Sequence, residues 1–204
     1  MTSAIVSAIE TRGFFECRRS TSPTMPALRE FVSALRPSAI RVDKLRPREA
    51  ATARPNTLSA NHGTDRFPPH TDFALRPLPP KYIALFCPVS RPGATTLFSA
   101  DRLRAAVLET GTFRITTNGK SYSTSFSNVS RHGRFYRYNS DLMKPLDVGA
   151  RRLASAIDLA QPDHYVDWKD ISWVIFNNWT FLHGRQTLLE ATGWLWRLAL
   201  ETHK

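Results

Sequence analysis

Cysteine is scarce in this chain: Cys17 and Cys87 are the two thiols among 204 residues. They lie far apart and in no metal-like spacing, which argues against a disulfide framework and against a thiolate metal cluster. Cys87 closes the apolar run Tyr82-Ile83-Ala84-Leu85-Phe86-Cys87 and reads as a buried free thiol. Long hydrophobic runs are also missing, so no stretch is suited to crossing a membrane as a helix. The opening stretch, Met1 to Ile9, is mildly apolar, but Glu10 interrupts it and positive charge follows it, the wrong polarity for a secretory signal. A soluble cytoplasmic protein is the expectation. Acidic residues are few, 17 against 28 Lys and Arg, for a net charge of +11. No nucleic-acid-binding motif accompanies that charge, and the cations are spread along the chain, densest at Arg131, Arg134 and Arg137. A solvated basic surface is therefore preferred to a nucleic-acid partner, with an acidic carrier protein as a second possibility.

The length fits one domain with a real core, and 42% hydrophobic with 22% charged residues is ordinary globular composition. Residues 1–23 look weakly organised. Ser20 to Thr24 reads as a helix start, with Leu28, Phe31, Val32 and Leu35 at helical spacing and Pro37 ending it. Residues 1–55 thus form an N-terminal helix and connector packed on a core that spans 56–204. In that core short strands dominate: 81–87, 95–98, 135–138, 164–168, 171–178 and 194–201. Two more, 111–117 and 120–127, flank Asn118-Gly119, a strong hairpin signal. Helices are expected at 99–108, with Ser99 as N-cap, and at 147–159. Many short strands with few helices, and no internal repeat, predict a mainly β jelly-roll barrel with flanking helices.

Four residues carry the chemistry. His70 and Asp72 are separated by one residue on a segment that Phe67-Pro68-Pro69 keeps extended, so both side chains can reach one ion while Thr71 points away. His183 follows an apolar strand and precedes Gly184, where backbone can bend close to a ligand. Two histidines and one carboxylate are the minimal set that holds a non-haem ferrous ion with positions left open. Arg197 lies fourteen residues beyond His183, in a strand where Trp194, Trp196, Leu198 and Leu200 share one face and Leu195, Arg197 and Ala199 the other. A cation among large apolar residues is costly unless paired, and its planar fork matches a carboxylate.

The stretches Phe67-Pro68-Pro69-His70-Thr71-Asp72, Pro79-Pro80-Lys81-Tyr82, Gly93-Ala94-Thr95-Thr96-Leu97-Phe98, Asn177-Asn178-Trp179, Leu182-His183-Gly184-Arg185 and Trp196-Arg197 follow one another from about residue 56 to the C-terminus. In that combination the chain resembles the taurine dioxygenase / clavaminate synthase group of iron(II)- and 2-oxoglutarate-dependent oxygenases. The resemblance implies a double-stranded β-helix, with His70, Asp72 and His183 as iron ligands. It implies Arg197, supported by the hydroxyl of Thr96, on the distal carboxylate of 2-oxoglutarate. Dioxygen is then the second co-substrate, and hydroxylation of an unactivated C–H bond the expected outcome. Three departures stand out. The chain is short for this group. Asp72 is retained where related halogenases have lost the carboxylate. Glu201 stands four residues past Arg197, where some relatives place an Arg for an anionic substrate.

For the substrate, Ser59 and Asn61 are candidates to line the pocket, and Arg131, Arg134, Arg137 and Arg185 are candidates to hold a substrate carboxylate. A small, amino-acid-like acid is then the expected substrate. Three alternatives stand beside it: the same chemistry on a carrier-bound intermediate, a nucleic-acid demethylase, and a non-catalytic cupin-like module that keeps the metal without turnover.

Overall fold

The computed structural model describes residues 2–19, 24–53, 57–106, 111–117, 119–189 and 192–202. Its centre is a five-stranded antiparallel sheet. In spatial order the strands are β1 (Phe14–Arg18), β12 (Ile171–Asn177), β4 (Tyr82–Phe86), β14 (Leu195–Glu201) and β2 (Ala39–Leu45). A four-stranded sheet faces it. Its members, again in spatial order, are β11 (His164–Asp167), β5 (Ala94–Ser99), β13 (Phe181–Arg185) and β3 (Phe67–His70). A three-stranded sheet of β10 (Met143–Pro145), β6 (Thr112–Thr117) and β7 (Lys120–Ser125), and the hairpin of β8 (Ser127–Ser130) and β9 (Gly133–Tyr136), extend one side.

Alternation along the strands explains why β4 and β12 read as continuous apolar runs. Tyr82, Ala84 and Phe86 of β4, with Trp173 and Ile175 of β12, face outward. They are covered there by Ile5 and Ile9 of α1 (Thr2–Arg12) and by Leu28 and Val32 of α2 (Met25–Ala34). The intervening residues Ile83, Leu85, Val174 and Phe176 face the barrel interior with Leu97, Trp168, Leu195 and Ala199. A strand buried on both faces needs no polar positions. Behind the four-stranded sheet, Phe98 and Leu182 pack with Leu103 of α4 (Ala100–Ala106) and with Leu153 and Ile157 of α5 (Val148–Leu159). A short helix, α3 (Leu58–His62), with Thr57 as its N-cap, leads into the metal-motif strand.

The helix caps follow the sequence signals. Thr24 accepts from the Ala27 amide, Ser99 from Arg102, and Asp147 from Ala150. Residues 20–23, Val107, Leu108 and Asn118, which also entered these expectations, lie outside the described residues. One expectation is corrected over the described part of 1–23: α1 and β1 occupy positions 2–18, which are therefore not weakly organised. β1 pairs with β12 along its length, and β2 pairs with β14 over seven residues. Both edge strands of the larger sheet thus come from the N-terminal segment. Among the described residues, no helix is long and apolar enough to cross a membrane.

Candidate metal centre and anion cavity

β3 ends at His70, after which the chain turns sharply, and Phe73 takes a left-handed φ of 59°. Thr71 is fixed on the side away from the site: its amide donates to Tyr138 O, its hydroxyl donates to Tyr136 O, and that hydroxyl accepts from the Tyr138 amide. Asn178, fully buried, clamps the turn from the far side. Its Oδ1 accepts from the Asp72 amide at 3.0 Å, and its Nδ2 donates to Asp72 O and Pro80 O. His70 and Asp72 are thereby aimed at the same point. β13 supplies the third residue, because His183 pairs directly with His70 across β3.

One ligand atom from each of His70, Asp72 and His183 lies within 4.8 Å of the others, and all three residues are buried. His70 Nδ1 sits 2.9 Å from Pro68 O, which holds its proton there and leaves Nε2 as the lone-pair nitrogen. Asp72 Oδ2 is buried with no hydrogen bond, 3.7 Å from His183 Nε2. A buried carboxylate oxygen left open beside two imidazoles fits a divalent cation. Burial lowers the pKa of both histidines, with His183 brought to about 3, so both stay neutral and able to ligate. Burial opposes ionisation of Asp72 as well, but the charge and hydrogen bond of Arg197 outweigh it and hold the carboxyl below its ordinary value.

Arg197 is brought to the same point from β14. Its Nη1 donates to Asp72 Oδ1 at 2.6 Å and its Nη2 to Asp43 Oδ2 at 3.0 Å, while Nε is buried without a partner. Desolvation works against the buried guanidinium, but these two carboxylates more than compensate and raise its pKa. Its guanidinium also lies 4.7 Å from the Phe73 ring centre. Asp43, which sequence reasoning missed, faces Arg197 directly across the β2–β14 pair. Its signal was faint, a single acid in an edge strand.

These groups line one cavity of about 550 Å³. Of the expected substrate residues, Ser59 and Arg185 line it. Asn61 is exposed on α3 and does not. Arg131, Arg134 and Arg137 do not line it either. Arg131 and Arg134 are exposed around the β8–β9 turn, with Arg134 donating to Ser127 Oγ. Arg137 is buried and ties down the segment after the metal motif by donating to Arg76 O and Pro77 O. The carboxylate-anchor expectation for these three is therefore corrected. The β8–β9 hairpin and its flank direct these cations to solvent or backbone and away from the cavity.

Thr96 also needs correction. Leu97 of β5 is paired with His183 and Thr95 with Arg185, so those two face the barrel interior, while Thr96 is paired with Gly184 on the opposite face. Thr95 lines the cavity, and its hydroxyl accepts from Trp168 Nε1 at 3.2 Å. Two adjacent threonines in a strand cannot be told apart by type, and only the register decides. Arg185 donates from Nη2 to Gly63 O and Asp65 O and lies 3.6 Å from the Phe67 ring centre. It fixes the approach to β3 as well as lining the cavity. Burial and the nearby Arg91 lower its pKa to about 10.

No family model matches the sequence, and no curated protein matches it. Solved structures do. An asparagine oxygenase in complex with Fe(II), 3-hydroxyasparagine and succinate superposes with a TM-score of 0.71 at 14% identity, over 98% of this chain and 79% of that one. This chain has the fold of the non-haem iron oxygenases. PvcB of Pseudomonas aeruginosa, an Fe, α-ketoglutarate dependent oxygenase from an isonitrile synthetic pathway, gives 0.63 at 14% identity over 98% and 80% of the two chains. A variant of the non-heme iron oxygenase OrfP with bound (3S)-hydroxy-L-Arg gives 0.61 at 16% identity, over 87% of this chain and 65% of that one. The mainly β, double-stranded β-helix expected from the sequence is thus the architecture found.

Proposed function

We propose that this protein is an iron(II)- and 2-oxoglutarate-dependent dioxygenase that hydroxylates a C–H bond of a small, carboxylate-bearing, amino-acid-like metabolite. The observation that carries the reading is the convergence of His70, Asp72 and His183 within 4.8 Å in a cavity that also holds Arg197. The three side chains would hold one ferrous ion, which when bound supplies dioxygen activation coupled to conversion of 2-oxoglutarate to succinate and carbon dioxide. Arg197 then serves two purposes. It keeps Asp72 ionised, and it offers its fork to the distal carboxylate of 2-oxoglutarate, in competition with Asp43. Thr95, not Thr96, is the hydroxyl in position to support that carboxylate. Leu85, Trp168 and Leu195 line the adjoining wall and exclude water from it.

The oxygenases with similar folds support the substrate class, since one structure holds 3-hydroxyasparagine and another a hydroxy-arginine. The test is succinate formation from 2-oxoglutarate with Fe(II) in air, scored across a panel of amino acids and small carboxylates. Stimulation by one member, lost in His183→Ala, supports the reading. Full activity in His183→Ala would remove the metal assignment. An acidic carrier presenting the substrate is the second reading, carried by the exposed Arg46 and Arg48 at the cavity mouth. It would show as activity that falls steeply with salt.

A further inference from the structure

The charge of the cavity wall is out of balance. Among the described residues it carries six cations, Lys44, Arg46, Arg48, Arg91, Arg185 and Arg197, against the two carboxylates of Asp43 and Asp72. Both acids are already matched by Arg197. A ferrous ion and a doubly charged 2-oxoglutarate cancel one another, so loading the site would leave the excess in place. A low-dielectric pocket with uncompensated cations attracts a further anion.

Two of these cations come from adjoining segments. Arg91 sits in the turn before β5 and Arg185 closes β13, and these segments are packed together: Arg185 is paired with Thr95, the Gln186 amide donates to Ala94 O, and Leu188 lies against Gly93. Arg91 spends one nitrogen on Thr192 O and Arg185 one on two main-chain carbonyls, yet the Nε of each is buried with no partner. No salt bridge to a carboxylate engages either guanidinium among the described residues. The ionisable group set against Arg91 is the Cys87 thiol, which burial keeps protonated. Asp65 is the acid whose charge acts on Arg185, and it offsets burial and the nearby Arg91 only in part. Two neighbouring guanidinium groups with open Nε–H donors are costly unless an oxyanion bridges them.

We propose that Arg91 and Arg185, with Arg46 and Arg48 at the mouth, form a second anion site that binds a carboxylate or phosphate of the primary substrate. The word substrate rests on the oxygenase reading, whereas the site itself does not. It is distinct from the Arg197 fork, whose Nη1 and Nη2 are engaged by Asp72 and Asp43, so the two anions are held at once.

The test is calorimetric titration of the Fe(II)-loaded, anaerobic protein with 2-oxoglutarate, then with inorganic phosphate and with malonate in parallel. Phosphate or malonate should bind the 2-oxoglutarate-saturated protein with one-to-one stoichiometry, and the tighter of the two identifies the oxyanion. Arg91→Gln should weaken that second event about tenfold or more, the loss expected for one charge-assisted bond, and leave the 2-oxoglutarate affinity unchanged. Arg48→Gln, in an exposed connector where folding is not at stake, should weaken it about two- to threefold. Displacement of 2-oxoglutarate by these anions, no second event, or wild-type affinity in Arg91→Gln would each overturn the proposal. If 2-oxoglutarate fails to bind while phosphate binds and responds to Arg91→Gln, the second site stands and the oxygenase reading falls.

Discussion

Replacing Arg197 by Ala separates its structural role from its role toward the co-substrate. The Arg197 and Asp72 side chains are only 18% and 7% exposed. Removing the guanidinium leaves Asp72 charged and desolvated, and breaking a buried pair from one side costs about 3–5 kcal/mol. In a domain of this size that corresponds to a melting point lower by roughly 6–20 °C in the metal-free protein. A divalent cation at His70, Asp72 and His183 supplies the missing positive charge, so Fe(II) should stabilise Arg197→Ala more than it stabilises wild type. The co-substrate defect should not be rescued in this way. Loss of a charge-assisted pair worth about 1.5–3 kcal/mol raises the 2-oxoglutarate requirement about 10- to 150-fold, and Arg197→Lys should recover only part of it. Thermal unfolding with and without Fe(II), and succinate formation against 2-oxoglutarate concentration, read the two effects separately. A metal-free melting point equal to wild type would refute the buried pair. An unchanged 2-oxoglutarate dependence would transfer that role to another cation, with Arg185 next in line.

Further outcomes follow from the same geometry. Asp43→Asn removes a carboxylate that competes for the Arg197 fork, so half-saturation by 2-oxoglutarate should fall to a lower concentration; a rise would mean that Asp43 orients Arg197 and does not compete. Gly184→Ala places a Cβ 2.7 Å from Phe67 O and 3.0 Å from Thr96 Oγ1, forcing β13 from β3. A cost of about 1–3 kcal/mol and weaker Fe(II) binding should follow, and unchanged metal affinity in an anaerobic titration would contradict the coupling of that strand pair to the site. In the metal-free protein, the unfolded chain takes up imidazole protons near 6.5 while folded His183 resists them to about 3. His70 is lowered in the same sense. Stability should therefore be full above pH 6.5 and fall progressively toward pH 3, with Asp72 adding loss only below its ordinary 3.8. Urea midpoints across that range check this, and a flat profile down to about pH 4 would refute the buried, neutral histidines.

What the sequence determined by itself was local and chemical. Residue type and spacing marked His70 and Asp72, because a strand end and a turn hold those side chains close whatever else packs around them. His183 was marked by its type and its Gly184 neighbour, and it reaches them only through the pairing of β13 with β3. The alternation around Arg197 marked a cation that had to be paired, and Thr24, Ser99 and Asp147 announced their helices through bonds that span three residues. What needed the tertiary structure was everything set by register and by distant strands. Whether Thr95 or Thr96 faces the cavity depends on how β5 meets β13, and a shift of one residue exchanges them. The three arginines of 131–137 look alike in sequence, yet two reach solvent and Arg137 is consumed by main-chain carbonyls some sixty positions away. Asp43 meets Arg197 across 154 residues, and Arg91 meets the Arg185 segment only because the β4–β5 turn closes over the end of β13. Such contacts leave no periodic trace in the sequence. They exist because antiparallel pairing brings distant residues face to face, and between two facing sheets that pairing selects which of many cations surround the site.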